Sequence, residues 1–351
     1  MRGIEAIIEK YFREIKETTV RNLAYLVEGV MRSGRASVWH AAQAMSEVNG
    51  KSFKTNEKRG NRLLQDSNFQ IDDTMFRKYT KILFQALRER ENLEKGDRIQ
   101  INVDYTTDND DFLILMSSIK FGQRAVPLYF SMRLYPKRKN QSDQKKMESS
   151  FIKALKHLLP KKYKYTIVAD RGFGNQRFAK LCEENGFDFV LRINENLRIE
   201  RKGKVENLEK YKEKNAKFKA RVVAWDKEYS FEIKTKNGST WFLMMPSESK
   251  NGAEKYGQRF SIEKCFQDQK SSGFDIEKCK IKKYDRFKRL YFTMCLAQLL
   301  VVIAGEYVET ENHPIKKIFP ITADLISVFL SSDLNYSDII SLKQSRLCYL
   351  F

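Results

Sequence analysis

Between Tyr256 and Lys270 the sequence reads YGQRFSIEKCFQDQK, which spaces a phenol, a guanidinium, a carboxylate and an ammonium group along one short segment. On a helix turning about 100° per residue, Arg259, Glu263 and Lys270 fall roughly −60°, −20° and −40° from Tyr256, so the four share one stripe. A carboxylate flanked by two cations and a phenol suits a polyanion that is both held and cut. The stretch alone reads equally well as a solvated helix face with an Arg259–Glu263 pair at i, i+4, an arrangement that contributes only a few tenths of a kcal/mol. Two more carboxylates stand at the ends of strand-like runs: Asp104 closes RIQINVD and Asp170 closes KYTIVAD. Three carboxylates drawn together raise one another's pKa unless a cation neutralises them. Two Mg²⁺ or Mn²⁺ ions ~3.5–4 Å apart are the usual remedy where phosphoryl transfer is the chemistry. Oxygen-only ligands favour those ions over zinc.

The bulk composition narrows the partner. The chain has 351 residues with 65 Lys and Arg against 45 Asp and Glu, a formal net charge of +20. That length implies two or three domains with ample core. The charge calls for an anionic partner, nucleic acid before a membrane surface. Five cysteines (Cys182, Cys265, Cys279, Cys295, Cys348) and three histidines (His40, His157, His313) are scattered without a C-x-x-C pair. This argues against a zinc site, a disulfide framework or a Cys–His nucleophile and points to a reduced intracellular compartment. The amphipathic, acid-bearing N-terminus does not read as a signal peptide. The most apolar run, YFTMCLAQLLVVIAG, contains Gln298 and falls short of the ~20 residues a spanning helix needs, so it is expected to be a buried core helix and no membrane partner is called.

Along the chain, residues 1–95 read as helical. VWHAAQAMSEV and NEKRGNRLLQD are amphipathic segments separated by NGKSFKT, with Thr55 the expected N-cap of the second and Lys54, Lys58, Arg59 and Arg62 on it. They read as a DNA-contacting helix-turn-helix or as a plain helical bundle. From Arg98 the period becomes two: Ile99, Ile101 and Val103 alternate with Gln100, Asn102 and Asp104, followed by strands FLILMSSIKFG and RAVPLYFSMRL. A helix (ESSFIKALKHLL), the strand ending at Asp170, a helix (NQRFAKLCEENG) and the strand FDFVLRI complete an α/β segment over 96–193. Residues 194–248 read as a β-rich insertion with strands FKARVVAW, EYSFEIKT and STWFLMMP, the last two joined by the turn signal KNGS. The motif helix and the apolar helix fill 249–305, and a C-terminal segment covers 306–351. Asp108, Asp110 and Asp111 read as turn residues. Asp268 falls about 140° from Glu263 around the helix, and His40 and His157 read as structural.

INVDYT, IVADRGFGN and Y-x2-R-x3-E-x6-K, in that order, resemble the DDE transposases of bacterial insertion sequences, and the spacing of the third motif resembles insertion-sequence family four. The resemblance spans roughly residues 98 to 305. It implies a ribonuclease H-like mixed-sheet core interrupted by the β-rich insertion, with a helical N-terminal end-binding domain and a helical C-terminal region. It further implies that Asp104, Asp170 and Glu263 are the catalytic triad holding two Mg²⁺ or Mn²⁺ ions, and that Tyr256, Arg259 and Lys270 hold phosphates of the transposon end. Arg171 is a further candidate for a phosphate, or a salt-bridging residue that orients a carboxylate. Trp241 stands where hairpin-forming members stack a flipped base, or is an ordinary core tryptophan; Trp225 is the less well-placed alternative. The implied partners are transposon-end and target DNA and a second copy of the chain in a synaptic homodimer, in a cytoplasmic, nucleoid-associated setting.

Overall fold

The computed structural model describes residues 2–309 apart from 110, 136–140, 237 and 272. The expected C-terminal segment therefore lies almost wholly outside the described residues, as do Cys348, His313 and Asp110. The chain divides into two compact units, one drawn from Met1–Asn92 with Gln267–Phe351, the other Leu93–Phe266.

The first unit is helical. α1 (Arg2–Phe12), α2 (Glu17–Ser33), α3 (Val38–Asn49), α4 (Phe53–Gln65) and α5 (Asp73–Glu91) precede the sheet in sequence, and α10 (Tyr284–Glu309) follows it. Long amphipathic segments form these helices, and their ends carry recognisable stops: Gly34 and Gly50 take left-handed backbone (φ 61 and 66) just past α2 and α3. α4 starts earlier than its sequence suggests. Its N-cap is Ser52, whose hydroxyl accepts the Thr55 N–H at 3.3 Å, so Thr55 lies inside the first turn. α10 is long and apolar enough to cross a membrane, but 83% of its apolar stretch is buried, against α2, α4 and α5. It is a core helix, as its embedded Gln298 implies: that side chain accepts from Gln269, which in turn accepts from Tyr291.

The second unit is built on a ten-stranded sheet. Its strands are β1 (Arg98–Asp108), β2 (Phe112–Phe121), β3 (Arg124–Leu134), β4 (Lys164–Ala169), β5 (Asp188–Arg192), β6 (Arg198–Arg201), β7 (Lys204–Asn207), β8 (Lys217–Val222), β9 (Lys227–Lys236) and β10 (Ser239–Pro246). α6 (Gln141–Leu158) and α7 (Gln176–Glu184) make the crossovers, and α8 (Gly252–Arg259) and α9 (Ser261–Gln269) follow the last strand. Strand order is β3-β2-β1-β4-β5-β10-β9-β8-β6-β7. β1–β2–β3 is an antiparallel meander, while β1, β4 and β5 run parallel. Three antiparallel strands followed by two parallel ones across the first edge of the meander is the ribonuclease H-like arrangement. Ile99, Ile101 and Val103 are all buried, as their alternation requires.

Two features add to the sequence reading and a third corrects it. The β-rich stretch continues the same sheet, because β10 pairs antiparallel with β5 through Leu243↔Arg192 and Met244↔Leu191. It also contains the extra hairpin β6–β7. β1 runs on past Asp104, held by antiparallel pairing with β2 as far as Asp108↔Phe112. Asp108 is thus a buried strand residue rather than a turn residue.

Candidate active site

Parallel pairing of β1 with β4 ends at Val103↔Ala169, and that of β4 with β5 at Ala169↔Leu191. The next residue on each strand is Asp104, Asp170 and Arg192, so these three lie abreast at the carboxyl end of the parallel strands, where open α/β sheets bind ligands. Asp104 and Asp170 therefore sit at neighbouring positions on the same sheet face. β1 reaches the next layer through side chains of that face. Gln100 donates to the Lys255 carbonyl at 2.8 Å and Asn102 donates to the Ser261 hydroxyl at 3.2 Å. These bonds fix α8 and α9 over the strand ends.

Each acid has its own local support. Asp170 caps a short 3-10 turn at Arg171–Phe173, its Oδ1 accepting the Gly172 N–H at 2.9 Å. That turn lies close to β5: a Cβ on Gly174 would sit 2.3 Å from the Arg192 carbonyl oxygen, so the close approach requires glycine. Asp104 accepts the Tyr105 N–H on Oδ1 at 2.8 Å and the Arg259 Nη1 on Oδ2 at 2.9 Å. Burial pushes its carboxyl up to about 6; Arg259 opposes the rise and the neighbouring Asp170 adds to it.

Arg259 is the hub. It is only 5% exposed, and its Nη2 donates to Glu263 Oε1 at 2.7 Å, so a single guanidinium joins Asp104 to Glu263. Its Nε is buried without a hydrogen-bond partner, and its charge stands 5.3 Å from the Tyr256 ring centre and 5.2 Å from that of Phe260. Glu263, by contrast, exposes half its side chain.

The other expected site residues fall as follows. Tyr256, Arg259 and Glu263 do not share one helix: α8 ends at Arg259, Phe260 takes the intervening turn, and α9 begins at Ser261. Tyr256 is buried in a cluster with Val168, Val190, Leu243 and Met245, so its ring serves as core. Trp241, half-buried, packs on that cluster with its ring 5.1 Å from Tyr256 and 5.8 Å from Phe260. Trp225 lies in the β8–β9 turn and packs edge-on against Tyr229. Lys270 follows α9 in the other unit, paired with Glu277 at 3.1 Å. Arg171 is exposed and forms no ion pair among the described residues, so the salt-bridging alternative has no partner there. Arg192 was not anticipated. It closes an apolar strand run as Asp170 closes KYTIVAD, and that shared pattern is the signal that finds it.

The donor set is all oxygen. Among the described residues no three carboxylate, imidazole or thiol groups stand close enough to hold a metal ion as they are. Two adjacent carboxylates with a third held off by one guanidinium nevertheless fit a hard divalent cation in their chemistry.

The sheet, with two acids side by side at its parallel strand ends, is a ribonuclease H-like core. Residues 131–300, 170 of the chain's 351, match the family model described as the transposase DDE domain. The match covers just under half of the chain and supports a likeness to DDE transposases. Asp170 and Glu263 lie inside the matched segment and Asp104 before it. No curated protein matches the sequence. Among solved structures the chain is similar to Ciona intestinalis endonuclease V in complex with inosine-containing DNA, at 10% identity over 52% of this chain and 88% of that one, with a TM-score of 0.26. It is also similar to the NurA nuclease of Sulfolobus solfataricus, at 11% identity over 71% and 98% of the two chains, with a TM-score of 0.28.

Proposed function

We propose that the chain is a transposase of the insertion-sequence family-four type, which cuts transposon ends in DNA and joins them to target DNA by cut-and-paste, through a hairpin intermediate. The observation that carries this reading is the Asp104–Arg259–Glu263 bridge beside Asp170. One cation there joins two of the three expected carboxylates, and the third, Asp170, is next in register to Asp104. Asp104, Asp170 and Glu263 would hold two Mg²⁺ or Mn²⁺ ions, whose chemistry when bound is to polarise the scissile phosphate and activate water or a 3′ hydroxyl.

The chain's own residues do the rest. Arg192 and Arg171 flank Asp170 and offer guanidinium forks to backbone phosphates. Lys270 adds a point charge, and Trp241, at the end of the sheet face that carries Asp170, supplies a stacking surface for an unpaired base. α4 presents Lys54, Thr55, Lys58 and Arg62 to solvent, which suits end recognition by the helical unit. The net charge of +20 supplies sequence-independent affinity. Two-ended cutting implies a synaptic homodimer, in a cytoplasmic, nucleoid-associated setting.

The test is cleavage of DNA carrying the element's end and its flank, with Mg²⁺ or Mn²⁺, comparing the wild type with Glu263→Gln. Metal-dependent nicking at the end that is lost in the variant, with joined product when target DNA is added, is the expected result. Nicking without joining would make the protein a nuclease, and binding without nicking would make it a DNA-holding protein.

A further inference from the structure

We propose that Arg259 is the resident counter-cation of the metal-free site and exchanges with the divalent ion, so that metal and guanidinium compete for the same two carboxylates and a DNA phosphate that draws Arg259 away favours the metal. The inference rests on the reading of Asp104, Asp170 and Glu263 as metal ligands. Arg259 places one terminal nitrogen 2.9 Å from Asp104 Oδ2 and the other 2.7 Å from Glu263 Oε1. A Mg²⁺ ion drawing on the same two oxygens needs them at about 2.0–2.1 Å, a space the guanidinium fills.

The position leaves the arginine incompletely satisfied. The side chain is 5% exposed, yet its Nε has no acceptor. Only the two terminal nitrogens are engaged, on two different carboxylates. A phosphate would instead take Nε and one Nη together in a fork. The rings of Tyr256 and Phe260 stand beside the charge, and Phe260 is itself exposed, so the guanidinium lies against an aromatic wall that borders solvent. Glu263, half exposed, is the more accessible partner; once released by Arg259 it has room on its solvent side to turn toward Asp104 and Asp170. Metal loading and DNA capture thus favour one another, and without DNA the guanidinium weakens the hold of the site on metal.

The test measures Mn²⁺ binding to the full chain without DNA by calorimetry, for the wild type, Arg259→Ala and Asp170→Asn. Arg259→Ala, shown to be folded by circular dichroism, is expected to bind Mn²⁺ more tightly by about tenfold or more, the scale on which neighbours tune a metal site. Equal or weaker binding would overturn the exchange. In the wild type, phenylglyoxal modification of Arg259, read by mass spectrometry, is expected to be slow without metal and faster by about tenfold with Mn²⁺ bound, reporting the same release. This arm needs no variant, and labelling unchanged by bound Mn²⁺ overturns the proposal even if Arg259→Ala fails to fold. If the wild type binds no Mn²⁺, or Asp170→Asn binds it undiminished, the carboxylate site itself is wrong, and the exchange falls with it.

Discussion

Asp104 and Asp170 are next-in-register neighbours on two parallel strands, one residue beyond the Val103↔Ala169 pair. Backbone pairing up to Val103↔Ala169 brings the two acids side by side, and the Gly172 N–H holds Asp170 just past its strand. Replacing either acid by Asn keeps the shape and removes the charge. End cleavage is expected to fall by more than about a hundredfold, beyond the 10–100-fold cost of losing a group that only supports a ligand. Affinity for end DNA, measured by gel shift, should change little. Near-normal cleavage by Asp104→Asn would remove Asp104 from the site.

The same pair sets a pH dependence. Burial, with Asp170 alongside, lifts the Asp104 carboxyl to about 6 despite Arg259. A raised carboxyl pKa leaves the group protonated and neutral below that pH and charged above it. A divalent cation must then displace a proton at low pH. Apparent Mn²⁺ affinity is expected to weaken by up to about tenfold for each pH unit below 6 and to level off above roughly 7. Titrations from pH 5 to 7.5 check this. A profile already flat at pH 5 would mean Asp104 behaves as an ordinary surface acid.

Gly174 is where the Asp170 turn meets β5. With a Cβ 2.3 Å from the Arg192 carbonyl, Gly174→Ala must push the turn off the strand. The expected destabilisation is about 1–3 kcal/mol, the usual cost of overpacking, accompanied by loss of cleavage as Asp170 shifts. Denaturant unfolding gives the first quantity. An alanine variant as stable and active as wild type would show that the turn has room to move.

Trp241 separates two steps of the proposed reaction. Its ring is half-buried on Tyr256 and Phe260, so it is partly core and partly available. If it stacks an unpaired base, Trp241→Ala forfeits ~1–3 kcal/mol at that step. Hairpin yield should then drop roughly tenfold or more while first-strand nicking persists. Equal loss of both steps would assign the residue to packing alone.

Much of this arrangement could be read from residue order, and the failures have physical causes. Alternation marked β1, and the apolar runs ending in Asp170 and Arg192 marked β4 and β5, because buried strands leave a period-two or continuous signal. The hairpin β6–β7 left no such signal: RIER and KVEN carry one buried residue between them, Ile199. The stripe from Tyr256 to Lys270 was legible as spacing but not as geometry. A break at Phe260 is too short to disturb the period, and periodicity does not say which residue turns inward. Arg259 turns inward because two acids await it, and Asp104, its partner 155 residues earlier, gives no local cue. Thr55 reads as a cap because the pattern of α4 weakens in its first turn, where Ser52 does the capping.

Arg192 completes the row that begins with the two acids: its strand-end pattern singles it out, and the register of β5 against β4 sets it beside Asp170. It follows Leu191 as Asp170 follows Ala169, and besides a 3.4 Å donation to the Thr240 carbonyl it has no acidic partner among the described residues. A cation on the shoulder of a nuclease-type site meets backbone phosphate rather than bases. Arg192→Ala is therefore expected to weaken binding of end and unrelated DNA alike, and to lower the slope of log affinity against log salt by about 1. Binding measured from 50 to 200 mM salt on both DNAs checks it. A loss confined to the end sequence would mean that Arg192 reads bases, and an unchanged slope would return it to the sheet as a strand-end residue bonded to Thr240.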